Sequence, residues 1–127
     1  MRIIFIVLPL FLLVACCPQP DPHAAIVLSE EEAVSLAQAR VVQEYHYKNF
    51  ASSEPVLKRV QRPSEEYCTL RSIDYYEQPK EYASCYIATF TFKANEQAPQ
   101  HIGSYEAKVF LLGTQAKSFE ITEVPKE

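Results

Sequence analysis

Apolar positions divide the chain into three stretches of different period. From Ile3 to Val14 twelve residues are apolar, interrupted only by Pro9, after the short positive start Met1-Arg2. A spanning helix needs about 20 such residues, so the run has instead the size of a signal-peptide hydrophobic region. A helical period begins at Ser29. Ser29-Glu30-Glu31-Glu32 has the capping-box pattern, with acids placed at the positive end of a helix. The helix is expected to run to about Phe50, with no Gly or Pro inside it. Val34, Ala37, Val41 and Tyr45, with Val42 at the edge, recur at three- and four-residue spacing as a buried stripe. Leu36, Tyr47 and Phe50 fall on the opposite side. Apolar residues on both sides predict a sheet curling around the helix, or else a partner covering its back.

Beyond Pro55 the period drops to two. Val56 to Arg62 reads as a first strand, ended by Pro63-Ser64. Tyr67 to Tyr76 reads as a second, with Gln78-Pro79-Lys80 as the turn after it. Tyr82 to Lys93 is the third, with Tyr86, Ala88, Phe90 and Phe92 on one face, and it is dense in strand-forming residues. Ser104 to Leu112 is the fourth, turned at Gly113, and Lys117 to Val124 the fifth. No helical stretch separates these runs, which predicts an antiparallel meander. The expected class is therefore α+β, with one N-terminal helix packed on a curled antiparallel meander of four to five strands. This order of elements resembles the cystatin-like and NTF2-like folds, in which the sheet wraps the helix. The likeness rests on no motif and transfers no function.

The apolar run ends in Leu13-Val14-Ala15-Cys16. These residues resemble the bacterial lipobox: an aliphatic residue, a small or aliphatic one, a small one, then cysteine. The resemblance implies cleavage before Cys16 and lipidation of its thiol. One acyl chain anchors weakly, at about 0.8 kcal/mol per buried CH₂, and two or more anchor durably. The alternative is an uncleaved hydrophobic anchor or an ordinary signal peptide. Cys17 follows, where aspartate would resemble an inner-membrane retention signal, so the resemblance implies an outer-membrane destination with the domain facing the periplasm. Residues 17–25 carry three prolines at alternate positions and read as an extended tether of about 25–30 Å. His23 is a solvated residue of that tether. The expected organisation is a signal peptide at 1–15, lipidated cysteine and tether at 16–28, and one domain at 29–127.

Charge and composition narrow the function. The net charge of −4 becomes −5 when the single positive charge of Arg2 leaves, and no run of Lys or Arg is present. Such a chain has no electrostatic footprint for nucleic acid. Gly103 and Gly113 are the only glycines, which leaves nothing for a phosphate-cradling loop. No cofactor is expected.

Cys68 and Cys85 flank the Gln78-Pro79 turn and are expected to face each other across a strand pair as a disulfide, which an oxidising compartment favours. The alternative is a metal pair. Zinc sites, however, need further Cys or His at short spacing, and neither C-x-x-C nor H-x₃₋₅-H occurs, so no metal is expected. His46 could pair with Asp74 or a nearby tyrosine as a general acid/base, but no nucleophile accompanies it, and it reads as a helix-surface histidine.

Eight tyrosines and no tryptophan are the least ordinary feature of the composition. Tyr67, Tyr75, Tyr76, Tyr82 and Tyr86 fall in one expected hairpin, suited either to an interface or to strand packing. The connection from Lys93 to Gly103 is long for a hairpin and carries Asn95, Gln97 and His101. Tyr75, Tyr76, Tyr82, Asn95 and Gln97 are the candidate partner-binding residues. The expectation is a non-enzymatic, membrane-anchored module that holds an envelope protein. The alternatives are a ligand-binding or catalytic pocket between helix and sheet, lined by Tyr45, Phe90 and Phe92, or a purely structural lipoprotein.

Overall fold

The computed structural model describes residues 27–77 and 84–127. Cys16, Cys17, the proline tether with His23, the Gln78-Pro79-Lys80 turn and Tyr82 lie outside the described residues. The elements in chain order are α1 (Glu30–Val42), α2 (Tyr45–Phe50), β1 (Val56–Gln61), α3 (Glu65–Ser72), β2 (Cys85–Lys93), β3 (Ile102–Leu112) and β4 (Gln115–Pro125). The class is α+β, with one open, antiparallel, four-stranded sheet in the order β1-β2-β3-β4.

α1 starts where its cap chemistry places it. The Ser29 hydroxyl accepts from the Glu32 amide at 3.2 Å, and the Glu32 carboxylate accepts from the Ser29 amide at 3.3 Å. Ala33, Ala37 and Val41 form its fully buried stripe, with Val34 packed at the edge. The helix does not run on to Phe50. It stops at Gln43, Glu44 takes an extended ψ of 146°, and α2 begins afresh. A continuous helix would carry Tyr45 onto the buried stripe and Tyr47 and Phe50 away from it. The break reverses this assignment. Tyr47 meets Phe92 edge-on at 5.3 Å and Phe50 stacks on Tyr105 at 6.3 Å, while Tyr45 is 62% exposed. Arg40 spans the break, pairing with Glu44 at 2.8 Å and lying 4.7 Å from the Phe119 ring.

The stretch expected as the second strand is helical instead. Ser64 caps α3, its hydroxyl accepting from the Tyr67 amide at 3.2 Å, and Glu65 and Glu66 fill the first turn. Cys68 and Ser72, four residues apart, are its buried positions. Mixed polarity on both alternating faces gave a strand nothing to gain there, while 68, 72 and 75–76 form a helical stripe.

Alternation is clean in β2 and β3. Tyr86, Ala88, Phe90 and Phe92 pair with Leu111, Val109, Ala107 and Tyr105, and these eight form the core face under α1 and α2. The other face begins at Cys85, Ile87, Phe110 and Leu112, where α3 and the following Tyr75 and Tyr76 cover it. Farther along it turns polar, and Glu106 there holds Lys58 at 3.0 Å and Arg59 at 3.4 Å. β1 is an exposed edge strand, bulged between Leu57 and Arg59, with Val60 its one core contact. Charged residues and a bulge discourage pairing at such an edge. Gly113 takes φ 59° in the β3–β4 turn, a region that glycine enters without steric cost.

Cys68 and Cys85 form a disulfide, with Cα atoms 6.1 Å apart and the two residues 17 positions apart in sequence. It staples α3 to β2 rather than joining two strands. Replacing both cysteines by Ala is expected to cost about 3 kcal/mol. Urea unfolding of the oxidised, reduced and double-Ala proteins checks this; coincident curves would mean that the bond carries none of the stability.

One buried polar group has no obvious use. The Tyr105 hydroxyl is fully buried and finds no hydrogen-bond partner among the described residues. Burial, with the Glu123 carboxylate paired across from it, raises its pKa above the ordinary 10.0. The fold thus prefers the neutral phenol. The stability this lends is complete below the unfolded value near pH 10 and is lost as pH climbs from there through the folded value. Tyr105→Phe removes an unsatisfied group worth about 1–3 kcal/mol of desolvation. It is expected to leave stability at neutral pH unchanged or raised, and to flatten the decline above pH 10 in denaturation curves.

Candidate functional site

The five candidate partner-binding residues do not form one surface. Tyr75 and Tyr76 follow α3 at the end of the sheet where β2 begins, and Asn95 and Gln97 follow β2 at its other end. The nine residues of β2 separate them by about 26 Å. Tyr82 lies outside the described residues, and the hairpin expected to gather the tyrosines is replaced by the α3–β2 staple.

At the staple end, the tyrosines do packing work. Tyr75 is half-buried and stacks on Phe110 with ring centres 6.5 Å apart. Tyr76 is half-buried too, with the Lys117 ammonium 4.9 Å from its ring. Both belong to the small cluster around the disulfide. What this helix turns outward is different: Leu70 and its C-cap Ile73 are exposed, while the partly exposed Tyr67 packs edge-on against Phe110 of the sheet. Reading 67–76 as a strand hid this arrangement. The Ser64 cap and its two following acids, the same signal as at Ser29, could have revealed it.

At the other end, Asn95 holds the loop rather than offering itself. Its side-chain amide donates to the Asn49 carbonyl at 3.0 Å and the Ala51 carbonyl at 3.4 Å, and its side-chain oxygen accepts from the Gln97 amide at 2.8 Å. Its backbone amide donates to the Phe50 carbonyl at 2.6 Å. The loop is thereby tied to the end of α2, and Glu96, Gln97, Pro99, Gln100 and His101 are left exposed. His101 sits at φ 72°, and its carbonyl accepts from the Lys126 amide at 2.9 Å. A side-chain Cβ at Gly103 would come within 3.1 Å of Lys126, so glycine lets the C-terminal residues lie close against this loop.

The possible acid/base partners are apart. His46 is half-buried among aromatic rings, 5.9 Å from Tyr45, 5.5 Å from Phe50 and 5.9 Å from Tyr105. Asp74 is ion-paired with Arg71 beyond α3, under the opposite face of the sheet. The residues named for a pocket do not gather either. Phe90 and Phe92 are buried in the packed core, and Tyr45 stands outside it.

An open groove of about 550 Å³ lies between α1 and the Glu54-Pro55 link. Gln38 spans it, its amide donating to the Pro55 carbonyl at 3.1 Å. A smaller cleft of about 100 Å³ lies between α3 and the sheet, beside Arg71, Lys108 and Glu120. Among the described residues no group of three or more His, Cys, Asp or Glu is placed to hold a metal. No helix among them is long and apolar enough to cross a membrane. The chain matches no protein-family model, and neither curated proteins nor solved structures yield a match.

Asn95→Ala removes three side-chain hydrogen bonds at about 0.5–1.5 kcal/mol each. A loss of about 1–3 kcal/mol is expected in thermal or urea unfolding. Gln97→Ala, which removes an exposed side chain, is expected to stay within about 0.5 kcal/mol of the unaltered protein. Equal effects from the two would show that Asn95 does not hold the loop.

Proposed function

We propose that the chain is a lipid-anchored bacterial envelope protein whose α+β domain binds a protein partner without catalysing a reaction. The observation that carries this reading is the sequence Leu13-Val14-Ala15-Cys16 closing a twelve-residue apolar run, with a proline-spaced stretch after it. Cys16 would carry the lipid, and residues 17–25 would hold the domain off the bilayer. Cys17 in place of aspartate favours the outer membrane, with the domain in the periplasm. The Cys68–Cys85 disulfide is compatible with that oxidising compartment.

The place where the chain enters the domain supports a refinement. Leu28 is buried at the start of β2, its amide donating to the Ser84 hydroxyl at 3.3 Å and its carbonyl accepting from the Tyr86 hydroxyl at 2.8 Å. The tether therefore joins at the staple end, and the loop carrying Gln97 lies at the far end of the strands. An anchored domain would present that loop, with the neighbouring Tyr45, away from its own membrane. Partner contact is assigned there, and the half-buried Tyr75 and Tyr76 serve packing instead. A helix on an antiparallel meander is also the arrangement of cystatin-like and NTF2-like domains, although α3 stands between the first two strands of this one.

Cys16→Ser is expected to abolish incorporation of labelled palmitate and to release the protein from membranes in flotation. For the partner, a photo-crosslinking residue at Gln97 in intact cells is expected to capture one abundant envelope protein, and one at Tyr75 little. Scattered weak products from Gln97 would count against the binding-module reading and turn attention to a small ligand.

A further inference from the structure

We infer that the cleft between α3 and the outer face of the sheet is a binding site for a small zwitterion of the α-amino acid class. The inference stands apart from the lipid anchor and from the partner contact assigned to the 94–103 loop.

Strand register builds the cleft. Ile87 of β2, Phe110 of β3 and Ser118 of β4 are direct partners across the sheet and line its floor. The neighbouring row, Thr89, Lys108 and Glu120, is paired in the same way, and its two charged members line one side. Tyr67 and Arg71 of α3 close the other. The space is about 100 Å³, well below the roughly 300–1,000 Å³ of a pocket for a drug-sized ligand.

The polar groups here are left open. Lys108 and Glu120 are directly opposed, a position in which Cβ atoms stand about 4.5–5.5 Å apart, yet they form no ion pair. Glu106, one step farther along, instead holds Lys58 and Arg59. Asp74 grips Nη1 of Arg71 and so fixes the guanidinium, while its Nε lies buried with no acceptor among the described residues. Thr89, across from Lys108, is 1% exposed, and its hydroxyl also finds no partner among them. Buried polar groups are nearly always hydrogen-bonded. Two exceptions at and beside one cleft point to a ligand that supplies the missing bonds.

The signs of the charges choose that ligand. A simple anion would satisfy Arg71 and Lys108 but meet the Glu120 carboxylate. A simple cation would satisfy Glu120 but meet both basic groups. A zwitterion answers all three: its carboxylate accepts from Arg71 Nε and Lys108, and its ammonium donates to Glu120 and the Ser118 hydroxyl. The side chain then rests on Ile87 and Phe110. Tyr67 stands edge-on to Phe110 with ring centres 6.4 Å apart, so the space favours a side chain about as small as a methyl group.

The test is a titration of the full chain, in mild detergent, with L-alanine, acetate and ethylammonium in turn. The readout is the Arg71 Nε–H resonance in nitrogen–proton correlation spectra. L-alanine is expected to shift it saturably, with a Kd at or below roughly 1 mM. Acetate and ethylammonium, each carrying half of the charge pattern, are expected to bind about tenfold more weakly or not at all. Glu120→Gln and Lys108→Gln alter exposed side chains, so both should fold. Each is expected to weaken L-alanine by about tenfold, the factor that one charge-assisted hydrogen bond accounts for. Acetate binding as tightly as L-alanine would make the cleft an anion site and overturn the zwitterion. Unchanged affinity in both variants would place the ligand elsewhere, and no saturable shift with any probe would remove the site altogether.

Discussion

The covalent bond between Cys68 and Cys85 is the constraint on which the outer half of this fold depends. β2 is buried on both faces, so the sheet needs a cover on each. On the inner face α1 and α2 supply it without a covalent link, mainly through apolar contact. On the outer face the cover is α3, eight residues long with two of them buried. Isolated helices shorter than about 12–15 residues are marginal in water even with favourable sequences. What α3 lacks in contact area, the disulfide replaces by closing the loop that joins it to β2. Phe110, Leu112, Tyr75 and Tyr76 then assemble around the sulfurs. Without that bond, much of this small cluster would be open to solvent.

The inner face obeys a different limit. Ala33, Ala37 and Val41 are small, which lets α1 approach the sheet closely but leaves its narrow stripe unable to bury Tyr47 and Phe50 as well. Breaking the helix at Gln43–Glu44 forgoes a turn of backbone hydrogen bonds and gains an aromatic group in which Phe50 and Phe92 both stack on Tyr105. The unpartnered Tyr105 hydroxyl and the ring-bound His46 are side effects of that repacking.

The sequence told most where one rule acted without competition. Alternation in 85–93 and 102–112 marked the two central strands and their inner face, and the capping box at Ser29 marked the start of α1. The disulfide was legible from its cysteines but not its geometry, since 67–76 was read as a strand. There, alternating residue types concealed a helical stripe at Cys68 and Ser72, and the cap at Ser64 was the stronger signal. The apolar residues on both sides of 29–50 were visible; their resolution by a break was not, because no Gly or Pro announces it. Of the candidate site, the 94–103 loop was identifiable by length. That Asn95 holds it and Gln97 is presented could not be seen, since the partners of Asn95 are backbone carbonyls more than forty residues away.

The position of Leu28 has a mechanical consequence. The chain enters at one end of the strands, and the loop assigned to partner contact leaves the other. A pull between bilayer and partner would run along the strand direction. That loop joins β2 to β3, so such a load draws both strands the same way, and resistance falls first on the hydrogen bonds that hold Leu28 to Ser84 and Tyr86. In the anchored reading, the grip of Leu28 on the start of β2 would set how much tension the fold bears.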